Sequence, residues 1–355
     1  MNIMTADLSA IYLVIRALLV SLVLVIFFGW VSIRMAWRLK LVDQPGSAPH
    51  KLHLHTTPLA GGLALILTLF ACELLLGSML DPSIRAAYLA VLPVFLFGLW
   101  DDYKVLSPPV KLLGQVAGAV ILIACGVYIR IFESPGFFFS GTGPFYLYLD
   151  WLLTIFWVVG ITNAFNFVDS MDGLAVGLGG MAAAFYILLT LDSGQFLLAQ
   201  HSALIVGVCM GLYFYNAPPA LLFLGDSGAQ SLGLILAALA IAYRPQVPYQ
   251  TSSWLVPVIL LAVPIFDTLL VIISRLRRNR PIYSAARDHT YHRLLVLVES
   301  PNRAVLVMQI AAFGLNCLAF LGLNQPPVEA NLIYSITLLL GLFALLFLDR
   351  RKFWV

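Results

Sequence analysis

The sequence predicts an all-α, polytopic membrane bundle of about ten to eleven transmembrane helices, and three observations carry that prediction. Hydrophobic residues occupy 61% of its 355 positions and charged residues only 10%. Soluble domains carry about 25% charged residues, and a surface this poor in charge can only face lipid. Mean hydropathy is +0.95. Apolar stretches of about 17–25 residues, the length that crosses a hydrocarbon core, recur with no soluble or low-complexity insert, so residues 1–355 read as one membrane domain.

The stretches fall at 11–36, 59–80, 85–100, 110–130, 150–167, 174–191, 199–217, 228–243, 252–274, 303–323 and 331–348. The first follows MNIMTADLSA, which has no basic n-region. It is too long for a cleaved signal and reads as a helix that stays. Between the fourth and fifth, the Gly-, Pro- and aromatic-rich segment 131–149 reads as an interfacial turn or short hairpin. Cys72, Cys125, Cys209 and Cys317 each stand alone in apolar sequence and read as small buried side chains.

Orientation follows from Lys and Arg, which concentrate on the cytoplasmic side. With the N-terminus outside and the C-terminus cytoplasmic, every basic residue except Arg16, Arg85, Arg130 and Arg244 lies in an inner loop, an inner helix end or the tail. The same placement puts Asp101, Asp102, Asp169, Asp172, Asp226 and Asp288 on the inner side. The expected location is therefore the inner (plasma) membrane, multi-pass, with polar chemistry at the cytoplasmic face.

Five constellations carry that chemistry. Asp101-Asp102-Tyr103 closes an apolar run and leads to Lys104 and Lys111; adjacent carboxylates repel unless a cation or proton intervenes. In Asn163-Ala-Phe-Asn166-Phe-Val-Asp169-Ser-Met-Asp172-Gly173, the polar residues fall three apart, so on a helix they share a face. Gly225-Asp226-Ser227-Gly228 allows close backbone approach and leaves amides for an anion. Asp267 follows Pro264 inside the ninth stretch and reads as structural, satisfying freed backbone or an Arg of the next loop. The loop Arg275–Arg293 gathers Arg, Asp288, His289 and His292, donors suited to a diphosphate. His50, His53 and His55 alternate in an earlier loop, but without cysteine and at strand-like spacing they do not read as zinc ligands.

These motifs, in order, resemble the polyprenyl-phosphate N-acetylhexosamine-1-phosphate transferases, the MraY/WecA type of glycosyltransferase family 4. The matching stretches are Lys51-x-His53…Pro58-x-x-Gly61-Gly62, Asp101-Asp102-Tyr103…Lys111…Gln115, and Asn163-Ala-x-Asn166-Phe-x-Asp169-x-x-Asp172-Gly173. Gly225-Asp226-Ser-Gly228…Ser231-Leu-Gly233, Pro264-x-Phe-Asp267-Thr and His289-x-x-His292-Arg293-Leu complete them. The resemblance implies a Mg²⁺-dependent (or Mn²⁺-dependent) reaction in which polyprenyl phosphate attacks the β-phosphate of a UDP-sugar and UMP leaves. By position it makes Asp226, Asp101 and Asp102 the catalytic and metal residues. It makes Lys51, Lys111, Asn166, Asp169, Asp172, His289, His292 and Arg293 the substrate contacts. The expected partners are a UDP-sugar, polyprenyl (undecaprenyl) phosphate and the bilayer, with no nucleic acid; a homodimer is left open. Tyr291 stands where the family usually has a third histidine, and Leu59 where it often has Arg. The missing histidine favours the WecA-like branch, which accepts simple UDP-N-acetylhexosamines, over the muramyl-pentapeptide branch.

Two other classes compete. A secondary transporter would hold its coupling acids near mid-membrane, and a CDP-alcohol phosphotransferase would need two further Asp after Asp169-x-x-Asp172-Gly173. Here Leu-Ala-Val-Gly-Leu follows, with no acid before Asp192. Within the favoured class, a phosphate monoester is already ionised near neutral pH, so direct attack needs only that Asp101 remove any residual proton. A covalent route with Asp101 or Asp102 as nucleophile is the rival, and stereochemistry at phosphorus separates the two.

Overall fold

The structure, a computed structural model, describes residues 8–46, 55–134, 139–245, 255–281, 288–323 and 325–354. Among these residues lie thirteen α-helices: α1 (Leu8–Leu39), α2 (Gly61–Leu76), α3 (Pro82–Tyr103), α4 (Pro108–Ala124), α5 (Pro144–Val168), α6 (Leu174–Asp192), α7 (Phe196–Asn216), α8 (Gly225–Ala242), α9 (Leu255–Leu260), α10 (Ala262–Arg277), α11 (Thr290–Val298), α12 (Pro301–Leu323) and α13 (Pro327–Leu348). The sheet among them is a two-residue antiparallel ladder, Val42–Asp43 with Thr57–Pro58. Eight helices (α1, α3, α5 to α8, α12 and α13) are long and apolar enough to cross a membrane. The protein is an all-α polytopic membrane protein.

The predicted stretches map onto these helices in order, with three physical differences. The 85–100 stretch becomes the 22 residues of α3. Asp81 caps it by accepting from the amides of Ser83 and Ile84 at 2.7 and 3.3 Å, and Pro82 takes the first turn, where its missing N–H costs nothing. Charges at Arg85 and at Asp101-Asp102 cut the hydropathy at both ends while the helix runs on. The 252–274 stretch breaks at Leu261 into α9 and α10. Pro264 has no N–H to offer the Leu260 carbonyl, and the buried Asn316 amide of α12, oriented to donate, supplies one at 3.0 Å. Finally, 290–298 sits in what reads as a loop but forms α11, because Leu294, Leu295 and Val298 pack on the core.

Between lipid-facing helices there is little hydrophobic drive, so small residues decide packing. The buried face of α1 is Ala10, Ala17, Ser21, Val25, Gly29, Ser32 and Ala36, a three-to-four spacing that lies along α7. There a Cβ on Gly207 would fall 2.4 Å from the Leu18 carbonyl oxygen. The same device seats α8 at the centre. A Cβ on Gly98 of α3 would lie 2.6 Å from Ser227 Cα, and one on Gly233 would lie 2.9 Å from Thr162 Cα of α5. Toward the far end, Glu73 of α2 pairs with His201 of α7 at 3.5 Å. The segment after α4 hangs on α5: the buried Asp150 carboxylate accepts the amides of Ile131, Phe132 and Glu133 at 2.9–3.1 Å. The sequence shows no such role for Asp150.

The C-terminal end is clamped by charge. Arg293, 1% exposed, donates to the Leu348 carbonyl at 2.8 Å, to Asp349 at 3.1 Å and to the Asp288 carbonyl at 3.1 Å. Arg277 also pairs with Asp349. Burial would raise the Asp349 carboxyl, but Ser274, Arg293 and Arg277 hold it below the usual carboxylate range. Removing one partner of a buried pair costs about 3–5 kcal/mol. Arg293→Met should therefore lower the melting temperature in detergent by several degrees. Arg293→Lys should not restore it, because an ammonium cannot reproduce the fork; wild-type melting of either variant would refute the clamp.

Candidate active site

Asp101 and Asp102 are neighbours in the last turn of α3, about 100° apart around the axis, and the structure gives them different work. Asp102 turns to the start of α8. Its Oδ1 accepts from the Asp226 amide at 2.7 Å, and its Oδ2 from the Ser227 amide at 3.1 Å and the Ser227 hydroxyl at 2.5 Å. Those are amides that a helix start leaves unpaired, at the positive end of its dipole. The approach requires Gly225, whose φ is +72° and whose Cβ, if present, would sit 2.8 Å from the Asp102 carboxylate. Expected as a metal residue, Asp102 acts here as the cap of α8.

Asp101 turns the other way. Its Oδ1 accepts from the Leu106 amide at 2.6 Å, and its Oδ2 meets Lys111 Nζ at 2.6 Å. The same Nζ lies 2.8 Å from Asp226 Oδ2. Lys111, in the first turn of α4, thus sits between one carboxylate from α3 and one from α8. Asn166 of α5 also reaches Asp226. So does Gln230, one turn along α8, at 3.1 Å. Gln115 and Asn163 extend this polar chain; both stand in the motif stretches, but the sequence gives neither a role.

The α5–α6 junction corrects the sequence reading. Asp169 and Asp172 do not share a helix face, because α5 ends at Val168 and α6 begins only at Leu174. Asp169 follows the last turn. Burial raises its carboxyl well above the usual range, helped by the negative charges of Asp226, Asp102 and Asp172. Those charges stand near enough to act on Asp169 across the junction. Asp172 accepts from the Ala220 amide at 3.2 Å. Gly173, at φ +74°, stands immediately before α6 and donates its amide to Asn216 Oδ1 at 2.9 Å.

Asp267, 1% exposed, is engaged by His289 and the Thr290 amide rather than by freed helix backbone or an Arg, the partners its sequence context predicts. It fastens the histidine loop: its Oδ1 accepts from the Thr290 amide at 2.6 Å, and its Oδ2 meets His289 Nδ1 at 2.8 Å. With Nδ1 held, Nε2 is the nitrogen His289 can offer a ligand. The ring stands edge-on to Phe167 of α5 at 5.8 Å, which places it beside the acidic cluster. His292 packs on Tyr291 at 3.9 Å. Asp288 is gripped by Arg275 at 2.9 and 2.8 Å and by Arg278 at 3.0 Å. Burial would raise its carboxyl, but these guanidiniums hold it below the usual range. Arg293, expected among the substrate contacts, is engaged in the tail clamp instead. Lys51 lies outside the described residues, as do His50, His53 and Arg287.

Among the described residues no three carboxylate, imidazole or thiolate groups gather at metal-binding separation. Two carboxylates do converge, those of Asp101 and Asp226 around one Lys111 Nζ. Hard oxygens from two carboxylates fit a Mg²⁺ ion, which commonly takes one or two protein carboxylates and completes its shell with water and substrate phosphates.

A family model described as glycosyl transferase family 4 matches residues 84–244. The chain is 31% identical over 338 residues to the probable undecaprenyl-phosphate N-acetylglucosaminyl 1-phosphate transferase of Bacillus subtilis, covering 94% of this chain and 89% of that protein. It is 32% identical over 351 residues to the decaprenyl-phosphate N-acetylglucosaminephosphotransferase of Mycolicibacterium smegmatis, covering 90% and 85%. A shorter match, 34% identical over 196 residues and covering 52% and 60%, is to the phospho-N-acetylmuramoyl-pentapeptide-transferase of Limosilactobacillus fermentum. With likeness sustained over nearly the full length of the first two, the chain belongs to glycosyl transferase family 4.

Proposed function

We propose that this protein transfers an N-acetylhexosamine-1-phosphate, in the first instance N-acetylglucosamine-1-phosphate, from a UDP-sugar to a polyprenyl phosphate. The observation that carries the reading is the meeting of Asp101 and Asp226 on Lys111 at the membrane-flanking ends of α3, α4 and α8. Two relatives matched over nearly their full length are named for N-acetylglucosamine transfer, and Tyr291 in place of a third histidine agrees with a simple amino-sugar donor.

An oxygen of the acceptor phosphate attacks the β-phosphorus of the donor. The bond from that phosphorus to the UMP oxygen breaks, UMP departs, and a polyprenyl-diphosphate sugar remains. The difficulty is electrostatic, since two anions must meet. Lys111 answers part of it with an ammonium already placed among carboxylates. Asp226 and Asp101 would hold the divalent cation, Mg²⁺ or Mn²⁺. When bound, that ion offsets phosphate charge and stabilises the departing oxygen. Both Asp101 oxygens are already engaged, one by Lys111 and one by the Leu106 amide. That favours direct attack by an ionised acceptor phosphate over proton removal by the enzyme. His289 presents Nε2 toward the donor diphosphate, while Asn166, Asp169 and Asp172 line the nucleotide side. The basic loops around this end favour a cytoplasmic site in the plasma membrane, with the C-terminus inside.

A coupling-ion transporter gains nothing from this geometry. The acids cluster at helix ends, and Asp267, which lies within an apolar stretch, is committed to His289 and the Thr290 amide. Purified protein given polyprenyl phosphate, Mg²⁺ and a panel of UDP-sugars should form lipid-linked product and UMP, fastest with UDP-N-acetylglucosamine, and chelation should stop it. No lipid-linked product from any UDP-sugar would sink the proposal.

A further inference from the structure

Three uncharged amides run from α5 through α4 to Asp226, and their order is directional. Asn163 Nδ2 donates to the Val159 carbonyl at 2.8 Å and to Gln115 Oε1 at 2.6 Å. Gln115 Nε2 donates back to Asn163 Oδ1 at 3.3 Å and onward to Gln230 Oε1 at 2.9 Å. Gln230 Nε2 donates to Asp226 Oδ2 at 3.1 Å. Gln115 and Gln230 are 1% and 2% exposed, so water cannot stand in for a missing partner.

An amide turned end for end keeps its shape but exchanges donor and acceptor. The Val159 carbonyl can only accept, so it fixes which end of Asn163 is the donor. Asn163 then fixes Gln115, and Gln115 fixes Gln230. The last amide is left with its NH₂ toward Asp226. Together with Lys111, it engages Oδ2 of that carboxylate.

We propose that Gln230, oriented by Gln115 and Asn163, is a positioning residue that sets the Asp226 carboxylate to receive a divalent cation. The proposal rests on the reading of Asp226 as a metal ligand. Gln115 does not touch Asp226, yet its chemistry should reach it. With glutamate at position 115 the chain must reverse: a carboxylate there only accepts, Gln230 turns its NH₂ toward it, and the Gln230 oxygen then confronts Asp226. Gln230→Met removes the final bond at nearly constant length.

The test is Mn²⁺ binding to the purified full chain without substrates, followed by electron paramagnetic resonance, with melting temperature recorded for every variant. Gln115→Glu and Gln230→Met should each weaken Mn²⁺ about tenfold, the loss of one charge-assisted hydrogen bond. The double variant should also be weaker by about tenfold rather than a hundredfold, because Gln115 acts only through Gln230. Merely structural amides would lower melting additively and leave Mn²⁺ affinity untouched, which overturns the proposal, as does an additive loss of affinity. A wild-type chain that binds no Mn²⁺ overturns the metal reading itself and this inference with it. Wild-type binding with unaffected variants removes the inference alone.

Discussion

Asp226→Asn should lower the rate of UMP release by about three orders of magnitude or more, the scale expected when a principal electrostatic group of a phosphoryl-transfer site is lost. It should do so without unfolding the protein. Asparagine fills the same volume, and its carbonyl can still accept from Gln230 and Lys111, which now reach Asp226 at 3.1 and 2.8 Å. What disappears is one negative charge from a cluster that also holds Asp101, Asp102 and Asp169. The ion pair with Lys111 is lost, but Lys111 keeps Asp101 at 2.6 Å and the like-charge crowding eases, so the melting temperature should change little. Initial rates at saturating donor and acceptor, with melting curves on the same preparations, decide it. Wild-type turnover would remove Asp226 from the chemistry, and inactivity with a collapsed melting curve would make its role structural.

The helices were legible because membrane length and hydropathy are one-dimensional properties. Every apolar stretch from 11–36 to 331–348 has its helix. What hydropathy does not register is backbone chemistry within a stretch. Pro264 has no N–H for the Leu260 carbonyl, and the donor that carbonyl lacks comes from Asn316, some fifty residues on in sequence. The junction after α5 was misread for a related reason. Periodicity places Asp169 and Asp172 on one face only if the helix continues, and α5 stops at Val168, before either of them.

The site was legible as a set of motifs but not as a division of labour. Sequence identifies Asp101 and Asp102 as a pair, since both are carboxylates at one helix end. Their separation depends on which side of α3 faces α8 and which faces α4, a consequence of packing at Gly98 and Gly225. Gln115 and Gln230 stand in motif stretches without a role, because an amide in an apolar stretch carries no charge to betray it. A signal was present nonetheless: a glutamine inside a membrane helix must find a partner, and two of them are more economically explained as each other's.

Asp102→Asn offers the sharpest contrast with the change at Asp226. The Asp102 carboxylate meets three donors with two acceptor oxygens: the amides of Asp226 and Ser227 and the Ser227 hydroxyl. In asparagine one of those oxygens becomes an NH₂, which must then face an N–H. An unmatched buried donor costs about 1–3 kcal/mol, and each kcal/mol moves the melting temperature by about 2–4 °C in a chain of a few hundred residues. Asp102→Asn should therefore melt several degrees early. It should also turn over about a hundredfold more slowly, because the first turn of α8 carries Asp226 and a displacement of about 1 Å is enough for that loss. A metal ligand behaves oppositely under the same change, losing activity while keeping its fold. If Asp102→Asn melts like the wild type and still fails to turn over, the capping assignment is wrong and Asp102 joins Asp226 at the ion; an early melt beside an unshifted Asp226→Asn separates the residue that builds the site from the residue that works in it.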